Sequence, residues 1–245
     1  MGRSAGEHGR CSSLMKPDIS IIVPVLNERE TIHRTLKNLY LQKFDGIFEV
    51  IVVDGSEDGS TICCVENPSV ITAISSPGRG IQMNCGARMA GGKILLFLHS
   101  DTILPHQGLN DILCLMKDPS IKAGAFDLSI NNEGFAYRVI EKTASLRSRI
   151  TRLPYGDQAV FIRQAYFFGI GCFRGIPIME DVELMRRIKK ANGKIGLLNS
   201  CTTTSPRRWE TEGFVFCTLR NWIILILFFW GVKPEKLARV YKPQI

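Results

Sequence analysis

With 245 residues, 45% of them hydrophobic and 22% charged, the chain has an ordinary globular composition and can bury a full core, as one large domain or two small ones. Its eight cysteines include one adjacent pair, Cys63-Cys64, and no C-x-x-C pair, which suits free thiols in a reducing compartment and gives no zinc signature. The net charge of +8 is uneven: residues 1–137 hold 12 basic against 15 acidic side chains (net −3), and residues 138–245 hold 19 against 8 (net +11). A solvated basic face is the plain reading of that half. The sharper one is an anionic partner, phosphate or lipid headgroups; without a nucleic-acid motif beside the charge, no nucleic-acid partner is expected.

In chain order, the opening MGRSAGEHGRCSS is polar, lacks the apolar stretch of a secretory signal, and has Gly6 where a myristoylation pattern needs Ser or Thr. Residues 1–16 read as a disordered leader. Residues 19–25 (ISIIVPV) predict a strand and about 30–41 a helix. Residues 50–53 form a second strand running into Asp54, and 70–74 a short third. A helix over 79–90 follows. The apolar run 94–98, after the Gly91-Gly92-Lys93 turn, reads as a buried central strand. This alternation predicts βαβ units and an α/β fold with a mostly parallel sheet covered on both faces.

The second half is less regular. Residues 123–130 predict a strand, 135–149 a basic amphipathic helix, 159–163 a strand, and 181–191 a helix ended by Asn192-Gly193. With no repeat or low-complexity linker, 17–210 reads as one continuous domain with two functional lobes, and 211–245 as a C-terminal helical segment. Within it, 222–232 (WIILILFFWGV) is apolar throughout. Eleven helical residues reach about 16 Å, short of the roughly 30 Å hydrocarbon core of a bilayer, so a spanning helix is not expected. Two readings stay open: a helix lying in the membrane interface, with its tryptophans and the following Lys233, Lys236 and Arg239, or a buried helix closing the core.

Polar residues cluster where the strands end. The first strand runs into Pro24-Val25-Leu26-Asn27-Glu28, the second into Asp54-Gly55-Ser56-Glu57-Asp58-Gly59-Ser60, and the fourth into His99-Ser100-Asp101. In open α/β sheets the crevice beyond the carboxyl ends of the strands is where ligands bind. Asp58 and Ser60 read as turn chemistry. The three ends together point to an acidic site, which excludes a phosphate held by charge alone. A divalent cation between the carboxylates and a pyrophosphate removes the contradiction.

As a set, ISIIVPVLNE, VIVVDGSEDGS, the Arg79-Gly80 helix start, FLHSDT and PIMEDVEL resemble the motifs of family-2 glycosyltransferases of the GT-A fold, over about residues 19–209. PYGDQ, PIMEDVEL and RRWE are similar to a subgroup of small bacterial enzymes, whose neighbours glycosylate polyisoprenoid or carotenoid-type acceptors. The resemblance implies a GT-A sheet, a nucleotide-sugar donor and a bound Mn²⁺ or Mg²⁺. It implies that Pro24, Asn27 and Glu28 line the base and ribose, with Asp54 on the uracil or ribose side and Arg79 beside the base or diphosphate. His99-Ser100-Asp101 stands where the family carries D-x-D, so Asp101 would bind the metal. His99 replaces the first carboxylate with an imidazole able to bind metal or ribose. Glu180-Asp181 matches the family's acidic pair, whose second member is the general base. In place of a further family histidine, Arg207 and Arg208 would grip the diphosphate. Asp157 and Gln158 of PYGDQ would line the acceptor pocket or support Asp181, against the plainer reading of turn chemistry.

Rival motifs fail. GARMAGGK leads into a strand rather than out of one, unlike a P-loop, and GIGCFRG does not join a strand to a helix as a dinucleotide fingerprint does. A nucleotidyltransferase would carry a Gly-rich loop where Asn27-Glu28 stand. His33 and His106 read as surface residues. The expectation is therefore a metal-assisted, inverting glycosyltransferase that moves a sugar, from a UDP-sugar, to a hydroxyl or carboxyl of a lipid-like acceptor. It would sit at the cytoplasmic face of a membrane or in the cytoplasm. The alternative is a non-catalytic sugar-nucleotide-binding or membrane scaffold protein that keeps the fold.

Overall fold

The computed structural model describes residues 16–241. Apart from Lys16, the expected leader lies outside the described residues. Seven strands, Ile19–Val25 (β1), Phe48–Asp54 (β2), Val70–Ile74 (β3), Ile94–Phe97 (β4), Ile121–Ile130 (β5), Phe161–Arg163 (β6) and Lys194–Thr204 (β7), form one sheet in the order β3-β2-β1-β4-β6-β5-β7. The first four are mutually parallel. β6 runs antiparallel to both neighbours, and β7 pairs parallel with β5, so the sheet is mixed and mostly parallel.

Alternation along β1 assigns its side chains to two cores. Ile19, Ile21, Val23 and Val25 face Ile32, Leu36 and Leu39 of α1 (Arg29–Tyr40) and Leu109 and Ile112 of α3 (Gly108–Leu115). Ile22, with Ile51 and Val53 of β2, faces the opposite layer, formed by Met83 and Ala87 of α2 (Arg79–Met89), Phe167 of α5 (Gln164–Gly169), and Leu184, Met185 and Ile188 of α6 (Glu180–Lys190). Both sheet faces are thus covered, and the parallel register brings the carboxyl ends of β1, β2 and β4 out together at one edge.

Several elements depart from the sequence reading. β6 starts at Phe161 rather than 159, because Ala159 adopts φ 47° and breaks the extended run. α3, α5 and α7 (Arg207–Glu212) are short helices that the apolar pattern does not announce. Nor does it announce β7, whose second half, NSCTTT, is polar; tertiary pairing with β5 makes it a strand. α4 (Phe135–Thr151) extends two residues beyond expectation, and α8 (Phe214–Phe229) starts eight residues before the apolar run. Ile224, Leu225 and Phe228 of α8 pack on Val182 of α6 and Leu237 of α9 (Pro234–Ala238), while Trp222, Ile223, Ile226 and Phe229 stay exposed. Among the described residues no helix is long and apolar enough to cross a membrane.

Candidate active site

The site is built from loops at the carboxyl ends of β1, β2 and β4, together with the first turn of α6. Two buried polar side chains hold the first two strand ends. Gln82 of α2 donates to the carbonyls of Val25 (2.7 Å) and Val53 (2.9 Å), and Asp54 is fully buried. One Asp54 oxygen accepts from the Ser56 amide and hydroxyl (2.9 and 2.7 Å), and the other from the amides of Thr61 and Ile62 (2.8 and 3.2 Å). Asp54 therefore shapes the 55–62 loop, and its oxygens already have partners within it. Thr61 in turn accepts from the Glu28 amide through its hydroxyl (3.1 Å).

Beside this loop lies an open cleft of about 340 Å³, lined by Asn27, Glu28, Thr31, Asp58, Ser60 and Arg207, among others. Asn27 sits in the left-handed region (φ 56°), a conformation asparagine tolerates better than most residues, and so turns the chain away from β1. Glu28 accepts from the Thr31 hydroxyl (2.6 Å) and meets Arg207 at 3.5 Å, which links the first strand end to α7 across the cleft. Pro24 stays inside the strand, in register with Val53 and half-buried.

The second half of the site centres on Gly156, in the short 3₁₀ turn 156–158. A Cβ on Gly156 would lie 2.7 Å from Nε2 of His99 and 3.3 Å from Oδ2 of Asp181, so the imidazole and this carboxylate flank one glycine. Asp181 is fixed there by two backbone donors: the Gly156 amide to Oδ2 (2.5 Å) and the Val182 amide to Oδ1 (2.7 Å). Burial, then the positive charges of Arg79 and Arg208, hold the His99 pKa well below the usual imidazole range, so the ring is neutral and can offer a lone pair. Among the described residues, the one hydrogen bond to the Asp101 carboxylate is a 3.4 Å contact from the Thr102 hydroxyl, which leaves it open to a ligand.

Glu180, expected within the reacting pair, is 3% exposed and sits behind Arg79, 3.5 Å from its guanidinium. Burial pushes its carboxyl up to about 7 against the pull of Arg79. Partial desolvation opposes the charge of Arg79, and Glu180, Asp181 and Asp101 more than restore it. Asp157 has one buried oxygen without a hydrogen-bond partner among the described residues, and burial raises its carboxyl to about 6, with Asp181 and Asp101 adding to the shift and Arg147 resisting it.

Gln158 does not line a pocket. It is fully buried, its amide donating to the Phe126 carbonyl (2.9 Å) and accepting from the Ser148 hydroxyl (2.7 Å) and Tyr155 amide (3.2 Å). Its part is to anchor the turn that carries Gly156 and Asp157. His33 and His106 are exposed.

The strand-end carboxylates alone suggest an acidic site, and the structure corrects that picture. Arg79 and Arg208 stand close enough to depress the His99 pKa, and Arg147 stacks 3.3 Å above the Tyr155 ring beside Asp157. Arg208 lies 4.6 Å from the centre of the Tyr241 ring. Arg147 and Gln82 are not singled out by sequence, and Tyr155 and Gly156 enter only as part of PYGDQ with no role of their own; the fold gives each its place. Among the described residues no group of three or more His, Cys, Asp or Glu forms a ready-made metal cage. What exists is one open carboxylate with a neutral imidazole two residues away. That donor set suits a hard cation taking most of its oxygens from a bound diphosphate.

The model of glycosyl transferase family 2 matches residues 20–178, well over half of the chain. The chain belongs to glycosyl transferase family 2. This family-2 chain is 40% identical over 92 residues to the uncharacterized glycosyltransferase YfnE of Bacillus subtilis, a match covering 34% of this chain and 23% of that protein. It is 24% identical over 151 residues to TarP of Staphylococcus aureus, a poly(ribitol-phosphate) beta-N-acetylglucosaminyltransferase, covering 58% and 45%. The chain thus spans less than half the length of either relative. Its fold is that of the mannosyltransferase PcManGT of Pyrobaculum calidifontis, solved with GDP-Man and Mn²⁺ (TM-score 0.60, 19% identity, 78% of this chain and 57% of that one). The same fold occurs in S. aureus TarS 1–349, solved with UDP-GlcNAc (TM-score 0.57, 20% identity, 77% and 58%).

Proposed function

We propose that this family-2 chain transfers a sugar from a UDP-sugar to a hydroxyl or carboxyl of a lipid-like acceptor, with inversion, at a membrane surface. The observation that carries the reading is the placement of His99 and Asp181 on Gly156, with the charge of Asp101 near enough to act on Asp157 of the same turn. Neighbours of the same fold bind UDP-GlcNAc or GDP-Man, which supports a nucleotide-sugar donor. On this reading Pro24, Asn27 and Glu28 border the nucleoside, with the Asp54-shaped loop as its floor. Arg79, held by Glu180, and the pair Arg207 and Arg208 face the diphosphate and offset its growing charge as the sugar leaves. Asp101 and the neutral His99 would hold Mn²⁺ or Mg²⁺, which supplies further positive charge for the leaving group.

Asp181 takes the proton from the acceptor oxygen as that oxygen bonds to the anomeric carbon and the bond to the diphosphate breaks. Its two backbone donors hold the carboxylate in one orientation, and each oxygen keeps a lone pair for that proton. One base acting in one displacement gives inversion. Asp157 borders the acceptor side. The chemistry lies within residues 17–210; the half-exposed α8 lies beyond and meets the membrane. A non-catalytic scaffold needs no oriented carboxylate at Asp181, and that contact favours the enzyme.

The donor is tested by thermal unfolding with a panel of sugar nucleotides. A UDP-sugar at a hundred times its Kd stabilises the fold by about 2.7 kcal/mol, raising Tm by several degrees and being slowly hydrolysed. No shift with any sugar nucleotide defeats the reading.

A further inference from the structure

We infer that α4 is a second membrane-docking element, which lays its outer face on an anionic lipid surface and holds the active-site turn from its inner face. The inference rests on the membrane-surface reading above and adds to it a place on the protein and a lipid charge. α4 is amphipathic in the reverse sense. Of its seventeen residues only Ser148 is buried, while Phe135 is 82%, Leu146 58% and Ile150 71% exposed, with Val139 also exposed. At about 100° per residue these four fall within roughly 60° of arc, a single apolar stripe along about 25 Å of helix.

The cause of the inversion is visible in the sheet. β6 pairs with β5 only at Ala123 and Gly124, so among the described residues the later part of that β5 edge has no strand partner. The polar face of α4 supplies one. Glu141 accepts from the Ile130 amide (2.5 Å), Ser145 accepts from the Leu128 amide (3.3 Å), Arg138 donates to the Ile130 carbonyl (2.9 Å), and Arg149 donates to the Asp127 side chain (2.6 Å). Satisfying these backbone groups turns the polar face inward and leaves the apolar stripe outside. A stripe of that length in water needs a cover.

Two covers are conceivable, a second copy of the chain and a lipid surface, and charge decides between them. Lys142 lies on the stripe and the exposed Arg152 caps the helix, while Arg138 and Arg149, half-exposed beside the stripe, are paired with Glu141 and Asp127. These belong to the half of the chain with net charge +11, so self-association would press like charges together, whereas anionic headgroups match them. On the face away from the stripe, Tyr137 packs edge-on against Phe214 (5.6 Å between ring centres), joining the first turn of α4 to α8, where Val215, Leu219, Trp222 and Ile226 are exposed. On its inner face, Ser148 holds Gln158, the anchor of the Gly156–Asp157 turn. Docking therefore sets the acceptor side of the site next to the lipid.

The test is flotation of the full chain with phosphatidylcholine vesicles, with and without phosphatidylglycerol, at low and high salt. The expected result is binding to the anionic vesicles, weakened by salt, and at least tenfold weaker for Phe135→Ser/Ile150→Ser, with Tm and UDP affinity unchanged. Trp222→Ser/Trp230→Ser serves as the comparison on α8. If the α4 variant binds like the wild type while the α8 variant is released, the α4 inference falls and the membrane reading stands. If the wild type ignores anionic vesicles, both fall. Sedimentation showing a stable dimer that the α4 variant breaks would assign the stripe to self-association and overturn the inference.

Discussion

Asp181→Asn is expected to lower transfer by about 10²- to 10⁴-fold, the usual contribution of a positioned general base, while UDP affinity changes only a few-fold. Both carboxylate oxygens of Asp181 accept backbone amides, from Gly156 and Val182. An asparagine offers one acceptor and one donor group in the same space, so it can satisfy only one of these amides and cannot take a proton. The Gly156 turn then loosens slightly, but the cleft at Asn27 and Glu28, proposed for the nucleoside, makes no contact with Asp181. Initial rates of transfer, or of donor hydrolysis, set beside calorimetric UDP binding separate the two effects. Turnover equal to the wild type would remove Asp181 from the chemistry.

Gly156→Ala is the second large effect. Its new methyl group would sit 2.7 Å from Nε2 and 3.0 Å from Cε1 of His99, and 3.3 Å from Asp181. The imidazole is half-buried, with Arg79 and Arg208 close enough to act on it. The turn is pinned from below by Gln158 and cannot move freely. Overpacking of this kind costs about 1–3 kcal/mol, and it separates His99 from Asp181, so transfer is expected to fall at least a hundredfold (about 2.7 kcal/mol in barrier) with a lowered Tm. Removing the obstructing ring in Gly156→Ala/His99→Ala should restore most of the stability without restoring activity. That non-additive pattern marks a direct contact. Wild-type stability and rate in the single variant would show that the ring does not pack on Gly156.

Much of this site was legible in the sequence because strand ends are legible. Apolar runs of four to seven residues ending in Asn27-Glu28, Asp54 and His99-Ser100-Asp101 become β1, β2 and β4, whose parallel register puts those residues at one edge of the sheet. The helix start at Glu180-Asp181 was equally plain. What sequence could not separate was a polar side chain facing the cleft from one facing inward. Asp54, Gln158 and Glu180 are typical site residues by type, yet they are buried and occupied in holding the loop, the turn and Arg79. Conversely, Arg147 belongs to a helix with two other arginines, and only packing places it over Tyr155. α4 shows the same limit. Its apolar period was read correctly, but periodicity says nothing about which face meets the protein, and the unpaired edge of β5 reversed the usual answer.

In the proposed reaction Asp101, which follows β4, couples a divalent cation to the diphosphate of the donor. Calorimetric titration of UDP into the wild type and Asp101→Ala, each with and without Mn²⁺, tests it directly. Mn²⁺ is expected to tighten UDP binding to the wild type at least tenfold and to leave the variant unchanged. UDP affinity indifferent to both the metal and the substitution would contradict it.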